Sequence, residues 1–541
     1  MQAEDLLQAR RNAEAREHAL SQAGDMLTGS GGSVTYRSAG RILIIGGEEA
    51  LLFAPRLLPE LKPEVLVTDG SDEPSVPSVA LAGRQCSIRG HLGAFEIDLG
   101  APGKPGHQRL ACDLILDLTL KGMVAAELPP PGYFRSDIDP LVLDGMAERL
   151  KDMVGTFEKP RYFQYDPDRC AHGRNGVTGC TRCLDACPAE AITSLGEHIE
   201  VNPWLCQGGG ACASVCPAGA IEYGMPLAES LQERVRRMLK AYRQAGGREA
   251  VICFHTEDAA DSIPARPELL PVVVEELASV GPELLLGALA YGAAQVWLWE
   301  EGEVPTRSRQ AIEAQLAWIG ALLESQGYAP DAVRLTGAGQ ASGAMQSAMP
   351  DDVEPAWFAP AGDKRQRLFA AVDQLHAQAP RPAPMASLPA GAPLGTAGIS
   401  ETRCTLCMAC VGACPGHALQ PAGDQPGIDF VEANCLQCGT CTRTCPEDAI
   451  WISPRLLFDG EARRRPRALH REPAFECVRC GKPFGTRKMV ETVLERLRGN
   501  PMFTTARARN RLKMCEECRV IDLAEDQESE LFGPGEAHRH A

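Results

Sequence analysis

The chain has 541 residues, long enough for several domains. Hydrophobic residues make up 44% and charged residues 23%, a globular composition, and a formal net charge of −17 argues against nucleic acid as a partner. The 22 cysteines fall mostly in tight Cys-x-x-Cys spacings, which excludes a secreted disulfide scaffold and points to metal ligation in a reducing, cytoplasmic setting.

Residues 1–34 read as a polar helical lead-in. The opening Met1-Gln2-Ala3-Glu4-Asp5 shows no apolar signal region, and the segment ends in Gly29-Ser30-Gly31-Gly32. Residues 35–158 read as an α/β domain. Arg41 to Ile45, Val65 to Asp69 and Leu114 to Leu118 are its short buried strands, separated by helical stretches. The turn Gly46-Gly47 offers backbone N–H groups at a strand–helix junction, and Asp69 ends the next strand. A nucleotide or flavin at this turn is one reading and a plain α/β turn the other, because the third glycine of the dinucleotide fingerprint is missing.

Residues 159–226 carry seven cysteines. Cys180-x2-Cys183-x3-Cys187-Pro188 is preceded by a displaced Cys170. Cys206, Cys212 and Cys216-Pro217 follow, with Gly209 standing three residues after Cys206. Residues 227–345 read as a second α/β domain. It has a helix from Leu227 stopped by Gly246-Gly247, strands at Ala250 to Phe254, Pro271 to Val274 and Gln295 to Trp299, and a helix marked by Ile312, Leu316, Ile319 and Leu323. The longest uncharged run, Leu284 to Trp299, is shorter than the roughly 20 residues of a membrane span, so no span is expected. Residues 346–398 read as a linker, rich in Pro, Ala and Gly from 377 onward.

Residues 399–456 hold the clearest signal: Cys404-x2-Cys407-x2-Cys410-x3-Cys414-Pro415, then Cys435-x2-Cys438-x2-Cys441-x3-Cys445-Pro446. Residues 457–522 carry Cys477-x2-Cys480 and Cys515-x2-Cys518, paired knuckles suited to a Cys₄ zinc site; a further iron–sulfur cluster or a redox dithiol uses the same four thiols. Residues 523–541 read as a disordered polar tail. Cys86, Cys112 and Cys253 stand alone and read as buried core thiols. The fold class is therefore multidomain α/β plus α+β, with two ferredoxin-like modules, two α/β layered domains and a C-terminal Cys₄ module.

The 404–446 run resembles a bacterial two-cluster ferredoxin in every ligand position. In that pattern the fourth cysteine of each run ligates the other cluster. The resemblance implies one [4Fe–4S] cluster on Cys404, Cys407, Cys410 and Cys445, and another on Cys435, Cys438, Cys441 and Cys414. Carried upstream, it implies a third on Cys170, Cys180, Cys183 and Cys216, with His172 or water as the alternative to Cys170. The fourth site keeps only Cys187, Cys206 and Cys212, because Gly209 has no side chain to offer. It would hold a [3Fe–4S] cluster, a labile four-iron cluster, or nothing stable.

The stretches Val251-Ile252-Cys253-Phe254 and Val280-Gly281-Pro282-Glu283-Leu284-Leu285 resemble the delta subunit of methyl-viologen-reducing hydrogenase, whose cluster ligands are here reduced to Cys253. As a whole the chain is similar to cytosolic polyferredoxins found with molybdenum-dependent formate dehydrogenases. That likeness implies single-electron relay to or from a redox enzyme such as formate dehydrogenase. A maturation factor for a redox enzyme and a flavin- or NAD-linked oxidoreductase subunit are the alternatives. No Ser/His/Asp, paired-carboxylate or phosphate-loop pattern marks a catalytic residue.

Overall fold

The computed structural model describes residues 3–28, 32–71, 76–338, 354–423 and 425–536. The chain forms two compact units, one of Met1–Cys170 with Thr181–Pro382 and one of Ala171–Cys180 with Ala383–Ala541.

In the first unit, short runs of three to six residues become the strands of a five-stranded parallel sheet: β1 (Arg41–Gly46), β2 (Lys62–Val67), β3 (Ser78–Ala80), β4 (Leu114–Asp117) and β5 (Tyr133–Arg135), in the order β3-β2-β1-β4-β5. That is the doubly wound order. Alternation divides β1 between two cores. Ile42 and Ile44 pack with Leu51, Phe53 and Leu57 on the helical side, while Leu43 and Ile45 pack with Phe95, Ile97 and Leu99 on the other. The expected helical stretches are only partly realised. The second face is covered by an antiparallel meander, Cys86–Arg89, Phe95–Leu99 and Gln108–Cys112, because this segment alternates in polarity and is broken by Gly100, Gly103 and Gly106 at positive φ. Cys112 is buried, and Cys86 is half-buried in the same layer.

A second parallel sheet in this unit comprises β6 (Val251–His255), β7 (Leu269–Val273), β8 (Gln295–Trp299) and β9 (Val333–Thr336), in the order β7-β6-β8-β9. The helix Pro282–Ala290 between β7 and β8 is buried along its whole length, consistent with a sequence apolar except for Glu283. Cys253 lies in the middle of β6, fully buried beside Trp297 and Trp299, and burial pushes its thiol up to about 12. The lead-in is a helix, Ala3–Ser21, lying along Ala228–Gln244; its Asn12 Oδ1 accepts from the Arg248 N–H at 2.9 Å. The glycines at 29–31 lie outside the described residues.

The linker expectation for 346–398 is corrected. Residues 339–353 lie outside the described set, but Lys364–Ala377 is a helix packed on Pro282–Ala290. Asp363 and Gln366 form a reciprocal capping box, and Leu368, Ala371, Val372 and Leu375 recur at helical spacing on its buried face. Downstream, Met385–Ser387 and Gly395–Ile399 both pair with Ile450–Leu457 in the second unit, so the proline-rich stretch ends in sheet.

The second unit also contains the sheet Leu419–Pro421, Gly427–Phe430 and Arg467–Arg471, the hairpin Ala474–Glu476 with Pro483–Thr486, and a small hairpin, Gly173–Arg174 with Val177–Thr178. The tail expectation is also corrected: a helix spans Glu516–Glu536, anchored by Arg507 and Arg511 on Asp522, and only 537–541 fall outside the described residues.

Asp113 fastens the first sheet. Its buried carboxylate accepts from the N–H groups of Ala39 (2.9 Å) and Arg41 (3.0 Å) and from Arg41 Nη2 (2.6 Å). Burial opposes its ionisation, but these donors outweigh it and hold the carboxyl below the ordinary range. A carboxylate so depressed contributes stability above its unfolded pKa and loses it as pH falls. Asp113→Asn should therefore weaken this layer by about 1–3 kcal/mol at neutral pH. Hydrogen exchange of the β1 amides should show that gap at pH 7 and a smaller one below about pH 4.

Candidate iron–sulfur centres

The second unit gathers its eight motif cysteines around two apolar cavities. Cys404, Cys407, Cys410 and Cys445 line one with Ile399, Ile428 and Ile450. Cys414, Cys435, Cys438 and Cys441 line the other with Leu419, Phe430 and Ile452. Each run is bent by the same device. Leu406 and Met408 follow Cys404 at positive φ, and Gln437 and Gly439 follow Cys435 at the same two offsets. Donors to sulfur follow at these corners: the Leu406 backbone N–H donates to Cys404 Sγ at 3.4 Å, and the Gln437 side-chain amide donates to Cys435 Sγ at 3.2 Å. Short helices, Ala409–Gly412 and Thr440–Thr444, then carry Cys410 and Cys441.

Sequence reasoning missed a second device, although its signal is printed four times as Cys-Pro-x-x-Ala. After Cys187, Cys216, Cys414 and Cys445 the third residue on (Glu190, Gly219, His417, Asp448) takes positive φ. The alanine that follows turns its N–H back to the sulfur: Ala191 to Cys187 at 3.4 Å, Ala220 to Cys216 at 3.2 Å and Ala449 to Cys445 at 3.3 Å. Burial raises the thiol of Cys414, and the N–H groups of Leu419 and Ala418 oppose that rise.

Without a compensating cation these thiols resist ionisation. Burial, and then the neighbouring sulfurs, push Cys410 up to about 12 and raise Cys441 strongly. Four convergent sulfurs in an apolar cavity, with N–H donors aimed at them, fit a metal–sulfur core that neutralises their charge.

In the first unit, Cys170, Cys183, Cys187, Cys206 and Cys212 pack into one apolar cluster with Phe163, Ile192, Ile199, Val201 and Ile221. Cys180 belongs to the hairpin segment of the second unit, where its N–H donates to Ala171 O at 2.9 Å and its carbonyl meets the His172 ring at 2.9 Å. The Cys206 run repeats the corner geometry, with Gly208 and Gly210 at positive φ at the two offsets that Leu406 and Met408 occupy after Cys404. Gly209 therefore holds the position of Cys407 and Cys438. A Cβ there would meet only Pro188 Cγ, at 3.9 Å. Burial raises the thiols of Cys206 and Cys212.

The C-terminal cysteines form a separate site. The sulfurs of Cys477, Cys480, Cys515 and Cys518 all lie within 4.8 Å of one another, and Cys480 and Cys515 are 3.7 Å apart. Burial works against ionisation of Cys477, yet the N–H groups of Cys515, Cys480 and Arg479 hold it down at about 6, while its bond with Cys480 and burial push Cys518 up to about 12.

The Gly46-Gly47 turn is filled by the chain's own carboxylates. Gly47 N donates to Glu49 Oε1 at 2.9 Å and Glu48 N to Asp69 Oδ2 at 3.2 Å, and the following helix, Glu48–Phe53, is short and acidic at its start. This arrangement repels phosphate and weighs against the nucleotide reading.

Comparison with known proteins agrees with these cavities. A family model described as a 4Fe-4S dicluster domain matches residues 403–450, and another of the same description matches 163–217. The ferredoxin-type protein NapF of Escherichia coli (strain K12) is 42% identical over 55 residues, 10% of this chain and 32% of NapF. NADH-quinone oxidoreductase subunit I 2 of Streptomyces coelicolor is 36% identical over 84 residues, 12% of this chain and 42% of that subunit. The alignments thus span between about a third and two fifths of these relatives. The chain carries two 4Fe–4S dicluster domains of ferredoxin type. It is similar to the ferredoxin-like portions of both relatives and sets those portions among α/β layers and a Cys₄ module. No helix among the described residues is long and apolar enough to cross a membrane.

The corner glycines make a direct test. Gly210 sits at φ +71°, and a Cβ there would stand 2.4 Å from Ser279 Cβ, whereas Gly209 has free space. Gly210→Ala should destabilise this domain by about 1–3 kcal/mol and Gly209→Ala by under about 1 kcal/mol. Thermal unfolding of the two variants, purified in parallel, checks the difference.

Proposed function

We propose that the protein relays single electrons between redox partners through clusters in its two dicluster domains. The observation that carries this reading is the pair of cavities in the second unit, each lined by four cysteines from both runs in the exchanged pattern of a two-cluster ferredoxin. Cys404, Cys407, Cys410 and Cys445 would hold one [4Fe–4S] cluster and Cys414, Cys435, Cys438 and Cys441 the other. The first domain would hold a third such cluster, on the cysteines its spacing selects, and a fourth centre at Cys187, Cys206 and Cys212. Bound clusters supply one-electron redox chemistry; the chain supplies thiolates, N–H donors to sulfur and an apolar wall that keeps water away. The partner is a redox enzyme, and the wider likeness noted from sequence makes formate dehydrogenase the first to test. Reversible reduction of the clusters by that enzyme with formate is the expected result; clusters that assemble but accept no electrons would favour a maturation role.

Gly209 leaves the fourth centre one protein thiolate short, so we assign it a three-iron core or a four-iron core that loses its open corner in air. Gly209→Cys has room for its Cβ and should add about one iron per chain while abolishing the paramagnetic signal of the oxidised three-iron form. An unchanged iron count would overturn this assignment.

The C-terminal site suits zinc. Zinc–sulfur bonds of about 2.3 Å in a tetrahedron place sulfurs roughly 3.8 Å apart, close to the observed 3.7 Å between Cys480 and Cys515, whereas a cubane spreads its ligands farther. Cys515→Ser should release about one zinc and make 474–519 protease-sensitive while the iron content stays constant. Loss of iron instead would mark a further cluster.

A further inference from the structure

Three cations close on the backbone that carries Cys187, Cys206 and Cys212. Lys364 is buried, and its ammonium donates to the carbonyls of Ala213 and Ser214, each at 2.6 Å, on the helix Ala211–Val215 that contains Cys212. Arg307 Nη1 donates to the carbonyl of Cys187 at 2.9 Å. Lys159 donates to the carbonyl of Cys206 and, at 3.2 Å, to that of Trp204. Every ligand of the three-cysteine site thus has a positive charge bonded to its own peptide or to one next to it. Two of these cations are backed by a carboxylate: Glu283 Oε2 lies 3.9 Å from Lys364 Nζ, and Glu190 Oε1 lies 3.0 Å from Arg307 Nη2.

A structural account covers part of this. Lys364 satisfies carbonyls at the open end of a five-residue helix, which any buried helix end requires. It does not explain why ammonium and guanidinium groups, rather than neutral amides, reach all three ligand segments. Taking Lys364 out of water carries a desolvation cost that its nearest carboxylate, at 3.9 Å, offsets only in part. A thiolate-ligated cluster, net negative once its cysteine sulfurs are counted, would complete the compensation. Reduction adds one negative charge to such a core, and fixed cations a few ångströms away favour the reduced form.

On the reading that a cluster occupies this site, we infer that Lys364 and Arg307, with Lys159, raise its reduction potential, and that Glu283 and Glu190 moderate that effect. These are positioning residues acting through the field, not ligands.

The test uses the full-length protein, purified anaerobically with iron counted, in a redox titration followed by electron paramagnetic resonance. The centre is assigned by the signal that Cys212→Ser removes. At a poise equal to the wild-type midpoint, Lys364→Met and Arg307→Met should lower the reduced-to-oxidised ratio roughly tenfold, the effect of one unit charge several ångströms away at an effective dielectric constant of about 20. Glu283→Gln and Glu190→Gln should raise the ratio, and Lys364→Arg should leave it near the wild type. Opposite signs for cation and carboxylate variants at unchanged iron support the proposal, because a merely structural role moves both the same way. If Lys364→Met fails to fold, the more exposed pair Arg307→Met and Glu190→Gln carries the same test. Shifts of one sign, or none, with iron retained overturn the proposal alone. A wild-type chain lacking iron at this site overturns the cluster reading and the proposal with it.

Discussion

Everything around the cysteines follows from one electrostatic constraint: sulfur atoms brought together in an apolar cavity cannot all carry charge unless a cationic core sits among them. Cys410 and Cys441 show the cost in its bare form, with burial first and neighbouring sulfurs second driving their thiols upward. The peptide chain reduces that cost locally by turning its own N–H groups toward sulfur. Positive-φ corners after Cys404 and Cys206, and after each Cys-Pro pair, have this effect, while at Cys435 the Gln437 side-chain amide supplies the donor. They force the backbone into a conformation that non-glycine residues such as Leu406, Met408, Gln437 and Asp448 adopt only at some expense. The strain is concentrated where the chemistry demands it.

The α/β layers obey a different rule. Their strands are short apolar runs buried on both faces, and fully burying each Ile, Leu or Val side chain contributes about 1.5–3 kcal/mol. In the first sheet one face is closed by the helices Glu48–Phe53 and Pro140–Lys151 and the other by a three-stranded meander, so a sheet with doubly wound strand order lacks the helices that usually line its second face. The turn at which such sheets commonly take a phosphate is blocked here by Glu49 and Asp69. The order of strands has been kept while the site has been filled with negative charge.

How much of this was legible in the sequence depended on range. Covalent spacing made the cysteine runs readable, since three ligands within seven residues leave little conformational choice. Gln295–Trp299 was readable because an uninterrupted apolar strand needs no partner to declare itself. The meander at 86–112 was not, because its strands are short and half-exposed and its place is set by packing on the first sheet's open face, which local sequence does not declare. Nor was the helix Lys364–Ala377, whose capping box and apolar stripe were overshadowed by the prolines that begin at Pro380. The four Cys-Pro-x-x-Ala turns were in plain view, but their meaning is an N–H pointed at sulfur, which is a statement about backbone conformation.

The glycine triplet at 208–210 shows how structure separates reasons that sequence merges. A run of three glycines suggests a loop that must bend freely. Yet positive φ alone does not demand glycine here, since Leu406, Met408 and Gln437 hold the equivalent corners in the second unit. What demands glycine at 208 and 210 is close approach: a Cβ on Gly208 would press on the Tyr162 ring at 3.0 Å, and one on Gly210 would collide with Ser279 at 2.4 Å. Neither argument applies to Gly209, which is not among the positive-φ residues and faces only Pro188 at van der Waals distance. Packing would admit a Cβ at 209. The glycine there is thus not required by close approach, and it falls among lysine and arginine groups that reach the peptides of, or next to, Cys187, Cys206 and Cys212.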